Sequence, residues 1–169
     1  AVQGAMDALR RDLIADGAPI SVTTVKPATI NTPLFTNSRN KLDRTPKGPP
    51  PVYSPGVVAA CVEHAAEHPV RDLLAGGAAA QMLATEALAP RVMDLLLAKV
   101  AIRAESTRER VPGGSPGNLD APTSDDRVKG DLHGRPSLWT WLQLHPRARV
   151  VAAAGALAAP TLIRRFRRA

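Results

Sequence analysis

The stretch Ile20-Ser-Val-Thr-Thr-Val-Lys-Pro-Ala-Thr-Ile-Asn-Thr-Pro33 decides how this chain is read. Its first six residues are rich in β-branched side chains and predict a strand over 20–25, stopped by Pro27. Ahead of it, residues 1–16 predict an amphipathic helix. Val2, Met6, Leu9 and Leu13 recur at helical spacing, with Gln3, Asp7, Arg10, Arg11 and Asp12 largely on the other face. Gly17 is placed to end that helix. The periodicity already runs at Ala1 with no capping residue ahead of it, so the chain is expected to begin inside an element. Helix, short loop and buried-looking strand form the second half of a βαβ unit, and that order predicts an α/β fold with a parallel sheet.

Downstream, residues 26–53 read as irregular, punctuated by Pro27, Pro33, Pro46 and the run Pro49-Pro50-Pro51. A connection of that length inside a compact domain points to a functional lid or a disordered segment. The next helix has a clear start. Ser54 is placed to cap it, Pro55 takes its first position, and Val57, Val58, Cys61, Val62 and Ala65 supply the buried face. A short strand over 71–75 ends at Gly76-Gly77. Residues 79–103 predict one or two helices restarted by Pro90, with Val92, Leu95, Leu96 and Val100 on one face. Between about 105 and 136 the composition shifts to Pro, Gly, Asp and Ser, which reads as a linker. The expected organisation is therefore a folded unit over 1–104, a linker over 105–136 and a basic, Ala-rich tail helix over 137–169.

Composition excludes several classes. The chain has 169 residues, 44% of them hydrophobic, which is enough for one core and too apolar for a wholly disordered chain. Only 3% are aromatic, which argues against a nucleic-acid binder built on stacking platforms. A lone cysteine excludes a disulfide framework and a Cys-rich zinc module, and fits a reducing, cytoplasmic setting. No basic segment followed by an apolar run opens the chain, so no secretory signal is visible. The net charge of +7 is unevenly spread: residues 1–126 hold 13 Lys/Arg against 14 Asp/Glu, whereas residues 127–169 hold nine against one, Asp131. The basic character belongs to the tail, so a basic groove on the body is not expected and no nucleic-acid partner is predicted.

The helix over 1–16, the strand over 20–25 and then Lys26-Pro-Ala-Thr-Ile-Asn-Thr-Pro33 resemble the second half of short-chain dehydrogenases/reductases. In that family the strand after the catalytic helix ends in P-G-x-I/V-x-T, a segment that folds over the nicotinamide of a bound dinucleotide. Pro27, Ile30 and Thr32 match it in place, and Ala28 stands where Gly is usual. The opening Ala-Val-Gln-Gly-Ala-Met-Asp-Ala-Leu-Arg-Arg-Asp-Leu13 is similar to the stretch directly after the family's catalytic Y-x-x-x-K. The resemblance covers about residues 1–100. It implies the C-terminal half of a doubly wound Rossmann-type sheet, NAD or NADP as cofactor, a small carbonyl or alcohol substrate, and a homo-oligomer. It also implies roles for particular residues. The main-chain N–H of Ile30 would donate to the nicotinamide carboxamide, the Thr32 hydroxyl would bond the amide or phosphate region, and Pro27 would stiffen the turn. Leu34, Phe35 and the loop to Tyr53 would form an apolar wall over the substrate. Ala28 fits only with a negative φ. The family's Gly-rich phosphate loop and its catalytic Ser, Tyr and Lys would lie upstream of Ala1. Tyr53, the single tyrosine, has no Lys four residues on, so no catalytic residue is assigned here and the chain alone is expected to be inactive.

Other features carry less chemistry. His64 and His68 stand four apart with Glu63 and Glu67 nearby, but no H-E-x-x-H is present, so they read as solvent-facing helix residues and no metal is expected. Cys61 lies on an apolar helix face and reads as core. Gly113-Gly-Ser-Pro-Gly117 lacks both the strand before and the Lys-Ser/Thr after that a phosphate loop requires. In the tail, Trp139 and Trp141 precede Val150–Ile163, 14 uncharged residues that run into Arg164-Arg-Phe-Arg-Arg168. A spanning helix needs about 20 apolar residues, so two readings stay open: an interfacial helix on anionic lipid, or a solvated tail helix. A second reading of the whole also stays open, a non-catalytic module for a membrane surface or a partner that keeps part of a Rossmann scaffold.

Overall fold

The computed structural model describes residues 1–101, 106–110, 116–122 and 126–151. The fold is α/β, with a small parallel sheet and several helices. Helix α1 spans Val2–Ala15 and is closed as the sequence predicts. Gly17 takes a left-handed φ of 64°, which lets its N–H donate to Ile14 O and the Ala18 N–H to Leu13 O. These two bonds satisfy carbonyls that the last helical turn would otherwise strand.

Strand β1 is Thr24–Pro27, which starts four residues later and ends two residues later than the β-branched run predicts. Pairing decides its place, because Thr24 stands opposite Asp72 and Pro27 opposite Ala75 in a parallel ladder with β3, Asp72–Ala75. Ile20–Val22 precede the ladder. Pro27 closes the strand from within, at its last position, where its missing N–H costs no ladder bond. Between the two strands, the proline-rich stretch 26–53 that reads as irregular contains a helical turn α2, Leu34–Asn37, and a short strand β2, Arg44–Pro46, and the predicted helix follows as α3, Pro55–Glu67. Ser54 occupies the N-cap position of α3 with extended backbone and Pro55 the first helical position, but the serine side chain makes no capping bond.

The core forms where α3 lies on the sheet. Tyr53, Val57, Cys61, Leu73 and Ala75 are buried together, with Val25, Ile30, Val58 and Leu144 packed against them. Val57 and Cys61 are one helical turn apart, so α3 delivers both to the same layer. Truncating Leu73 to Ala would cost about 2–5 kcal/mol by leaving a cavity in this layer. Burial pushes the Cys61 thiol above its ordinary pKa, as suits a core residue.

Two expectations are corrected by the packing. First, α1 docks through its polar face. The Arg10 guanidinium donates to Val22 O at 3.0 Å and Arg71 O at 3.3 Å, and Asp7 pairs with Arg10 at 2.5 Å and Arg71 at 3.0 Å. The stripe read as its buried face leaves Val2 and Leu9 exposed. Second, the helices after β3 are α4, Gly77–Leu88, and α5, Pro90–Leu96, followed by a π-helical turn Leu97–Ala101. The buried residue of α5 is Met93, while Val92, Leu95 and Leu96 are exposed; the Val100 side chain lies outside the described residues. The stretch read as a linker makes hydrogen bonds to the body where it is described. Strand β4, Ser106–Arg110, pairs antiparallel with β2. Asn118 N–H donates to Asn37 O at 2.8 Å, and Arg135 N–H to Val52 O at 3.1 Å. A Gly- and Asp-rich composition reports what a backbone can do, not which partners it finds.

In the tail, α6 covers Leu138–Leu144, and Ser137 caps it by accepting from the Thr140 N–H at 3.2 Å. Helix α6 seals the free edge of β3. Thr140 Oγ1 donates to Leu74 O at 3.1 Å and accepts from the Gly76 N–H at 2.9 Å, while the Leu74 N–H donates to Gln143 Oε1 at 3.3 Å. An open strand edge is a template for pairing with other chains, and side-chain bonds of this kind close it. Gly113 and most of the apolar run, from residue 152 on, together with the basic run at 164–168, lie outside the described residues. Among the described residues no helix is long and apolar enough to cross a membrane.

Candidate functional site

The sheet ends where the site begins. Past the carboxyl end of β1 the chain stays extended and forms a second ribbon with residues 52–54 and 135. Tyr53 N–H donates to Thr29 O at 2.8 Å, Asn31 N–H to Tyr53 O at 2.8 Å, and Ser54 N–H to Arg135 O at 3.0 Å. Ile30 and Thr32 border one cavity, whereas the Asn31 side chain is buried and bonded to the backbone of Leu132.

Pro27, Ala28, Ile30, Thr32, Leu34 and Phe35 line one cavity of about 770 Å³. Helix α2 turns the chain immediately after Pro33, and this sets Leu34 and Phe35 beside the strand exit. Gly48 and Pro49, from the loop that leads to Tyr53, extend this wall, and the rest comes from elements the sequence did not connect to the motif: Val58 and Ala59 of α3, and Met82 of α4. None of the lining side chains is charged. Gly48 lies against Thr29 so closely that a Cβ there would strike the threonine methyl.

The polar groups at this wall are few and defined. The ribbon uses the Thr29 carbonyl and the Asn31 N–H on the Tyr53 side, so the Ile30 N–H between them points to the opposite side. Among the described residues no hydrogen bond engages the Ile30 N–H or the Thr32 hydroxyl, while the Thr32 N–H is spent on Ile30 O at 2.9 Å. One donor and one hydroxyl beside an apolar surface suit a flat ligand with a polar amide. Among the described residues only glycines have a positive φ, so Ala28 holds its place without strain.

Tyr53 does not join this cavity. It is 5% exposed in the core, and its Oη accepts from the Ala78 N–H at 3.2 Å, satisfying an amide in the first turn of α4. Arg135 stacks over its ring at 5.6 Å. The phenol reaches α4 because Gly76, at φ 114°, makes the tight strand-to-helix turn; a Cβ there would meet the ring at 2.7 Å. Of the three residues assigned to the substrate loop, Leu34 and Phe35 line the cavity and Tyr53 is held in the core. His64 and His68 stack on one another at 4.8 Å, and among the described residues no three groups are placed to hold a metal ion. Asn31 was missed by sequence reasoning, since an Asn flanked by Ile and Thr carries no signal of a partner so far along the chain.

Over 101 residues the chain is 36% identical to an uncharacterized oxidoreductase, YxnA, of Bacillus subtilis (strain 168). The match takes in 59% of this chain and 28% of that protein, so the chain spans well under half the length of its relative. No family model matches the chain, and no solved structure matches it.

Proposed function

We propose that this chain is the C-terminal part of an NAD- or NADP-dependent short-chain dehydrogenase/reductase, with half of a doubly wound Rossmann-type sheet. The observation that carries the reading is the run Pro27–Thr32, leaving the carboxyl end of a parallel strand and lining an apolar cavity with an unengaged Ile30 N–H. Open α/β sheets bind ligands at that end of their strands. The similarity to a protein named as an oxidoreductase supports the same class.

When bound, the nicotinamide would supply or accept the hydride exchanged with a carbonyl or alcohol. This chain's residues bind and orient. The Ile30 N–H would donate to the carboxamide, and the Thr32 hydroxyl would bond the amide or phosphate region. Pro27 limits the freedom of the strand exit, and the Asn31 side chain anchors the ribbon from its opposite face. Leu34 and Phe35 present apolar surface to a small carbonyl or alcohol and exclude water. Proton transfer belongs to the Ser, Tyr and Lys that the family places ahead of this segment, so the chain alone is inactive. The parent enzyme is a homo-oligomer in this reading.

The test is direct. In the full-length protein, NADH and NADPH are titrated by their fluorescence, and their oxidation is followed with a panel of aldehydes and ketones. Saturable binding of one dinucleotide and carbonyl-dependent oxidation are expected. Absence of binding by both dinucleotides would overturn the reading.

A further inference from the structure

Both tryptophans of the chain lie on the seven-residue helix α6. That helix is fixed by one face only. Thr140 and Gln143 are committed to the edge of β3 and Leu144 packs against the core, so the helix cannot roll to bury its other side. The outward face leaves Leu138 72%, Trp139 50% and Trp141 48% exposed. Trp141 stacks on His145, one turn on, at 4.6 Å. An apolar patch held outward by buried hydrogen bonds on the opposite face is a surface with a use.

Charge says what it meets. Residues 137–169 contain six arginines and no Asp or Glu. Arg147 and Arg149 are exposed, and among the described residues neither is in an ion pair. Val150 and Val151, also exposed, continue the apolar character directly after them. The sequence then stays uncharged to Ile163 and ends in the cluster Arg164, Arg165, Arg167 and Arg168. Tryptophan favours the membrane–water interface, and arginine beside it meets anionic headgroups. A second copy laid face to face would oppose arginine with arginine, so self-association does not fit the same charges.

We propose that the outward face of α6, with the arginines that follow it, seats the protein on an anionic lipid surface. Leu138, Trp139 and Trp141 enter the headgroup region, and Arg147, Arg149 and the terminal arginines pair with lipid phosphates and carboxylates. The proposal does not depend on the catalytic reading, because α6 shares no residue with the cavity at Pro27–Phe35.

The experiment is flotation of the full-length protein with two vesicle types: phosphatidylcholine alone, and phosphatidylcholine with one third phosphatidylglycerol. Binding to the anionic vesicles at low salt is expected, with release in 0.5 M salt, where the Debye length is only a few ångströms (about 3 Å at 1 M). Trp139→Ser with Trp141→Ser should lower the bound fraction about tenfold, and Trp139→Phe with Trp141→Phe should retain most of it. Arg147→Glu with Arg149→Glu alters only exposed side chains, should leave the melting temperature unchanged, and should also weaken binding about tenfold. Equal binding to both vesicle types, no binding to either, or variants that float like the parent would overturn the proposal. So would lipid-free dimerisation that the tryptophan substitutions abolish, since the occupant would then be a second copy.

Discussion

Asn31 holds the backbone of Leu132 with both ends of its side-chain amide. Its Nδ2 donates to the Leu132 carbonyl, and the Leu132 N–H donates back to Oδ1 at 3.0 Å. Gly130 N–H adds a bond to Asn31 O at 3.2 Å. Because Asn31 lies between Ile30 and Thr32, this clasp anchors from behind the two residues that line the cavity in front.

Replacing Asn31 by Leu leaves the Leu132 N–H and carbonyl unpaired in a partly buried place. The expected loss is about 1–3 kcal/mol of stability, read by chemical denaturation. Amide exchange at Leu132 should accelerate in the same variant. A protein as stable as the parent, with unchanged exchange, would mean that the clasp does not hold the ribbon.

Thr140→Val tests the sealed edge of β3. Valine keeps the shape and removes the hydroxyl, so Leu74 O and Gly76 N–H lose their partner while the packing stays. A destabilisation of about 1–3 kcal/mol is expected, with faster aggregation as the strand edge opens. Light scattering at constant temperature separates that aggregation from simple unfolding.

What was legible in the sequence was what is local. Gly17 ends α1, Pro55 starts α3, Cys61 sits in the core and residues 72–75 form a strand, because turn chemistry and helical spacing declare themselves within a few residues. Pro27, Ile30, Thr32, Leu34 and Phe35 come together for the same reason: they are neighbours in sequence. The rest is held by long-range bonds with no period. Asn31 to Leu132 and Thr140 to Leu74 join residues 101 and 66 positions apart. The face of α1 misled for another reason. Apolar periodicity predicts burial only when an apolar surface is on offer, and here the neighbours are the carbonyls of Val22 and Arg71, which an arginine satisfies and a leucine does not.

That docking carries a pH dependence. The hydrogen bond from Arg10, with the charge of Arg71 beside it, holds the Asp7 carboxyl below the usual carboxylate range. A carboxylate with a lowered pKa in the folded state contributes stability above its unfolded value of about 3.9, and that contribution fades as pH falls through the folded value. Helix α1 should therefore loosen only under acid, below about pH 4. Asp7→Asn should loosen it at neutral pH and flatten the acid limb of the stability profile. An unchanged acid limb would show that Asp7 does not couple α1 to the sheet.

The cavity makes its strongest demand on two residues that the proposed reading assigns to different ligands. Both line the cavity; in that reading Thr32 would offer a hydroxyl to the dinucleotide, whereas Phe35 would offer only apolar surface to the substrate. In the full-length protein, Thr32→Ala should weaken dinucleotide binding by the worth of one or two hydrogen bonds, about 1–3 kcal/mol. Phe35→Ala should leave the dinucleotide Kd within about twofold and raise the KM for apolar carbonyls, since burying a full aromatic side chain against a ligand is worth about 1.5–3 kcal/mol. The two variants are compared by dinucleotide fluorescence and by initial rates at saturating dinucleotide. If both change only stability, measured by melting, the cavity is a packing defect of the fold. If the effects exchange, with Phe35 governing dinucleotide affinity and Thr32 the carbonyl KM, the nicotinamide lies at the opposite end of the wall from Thr32.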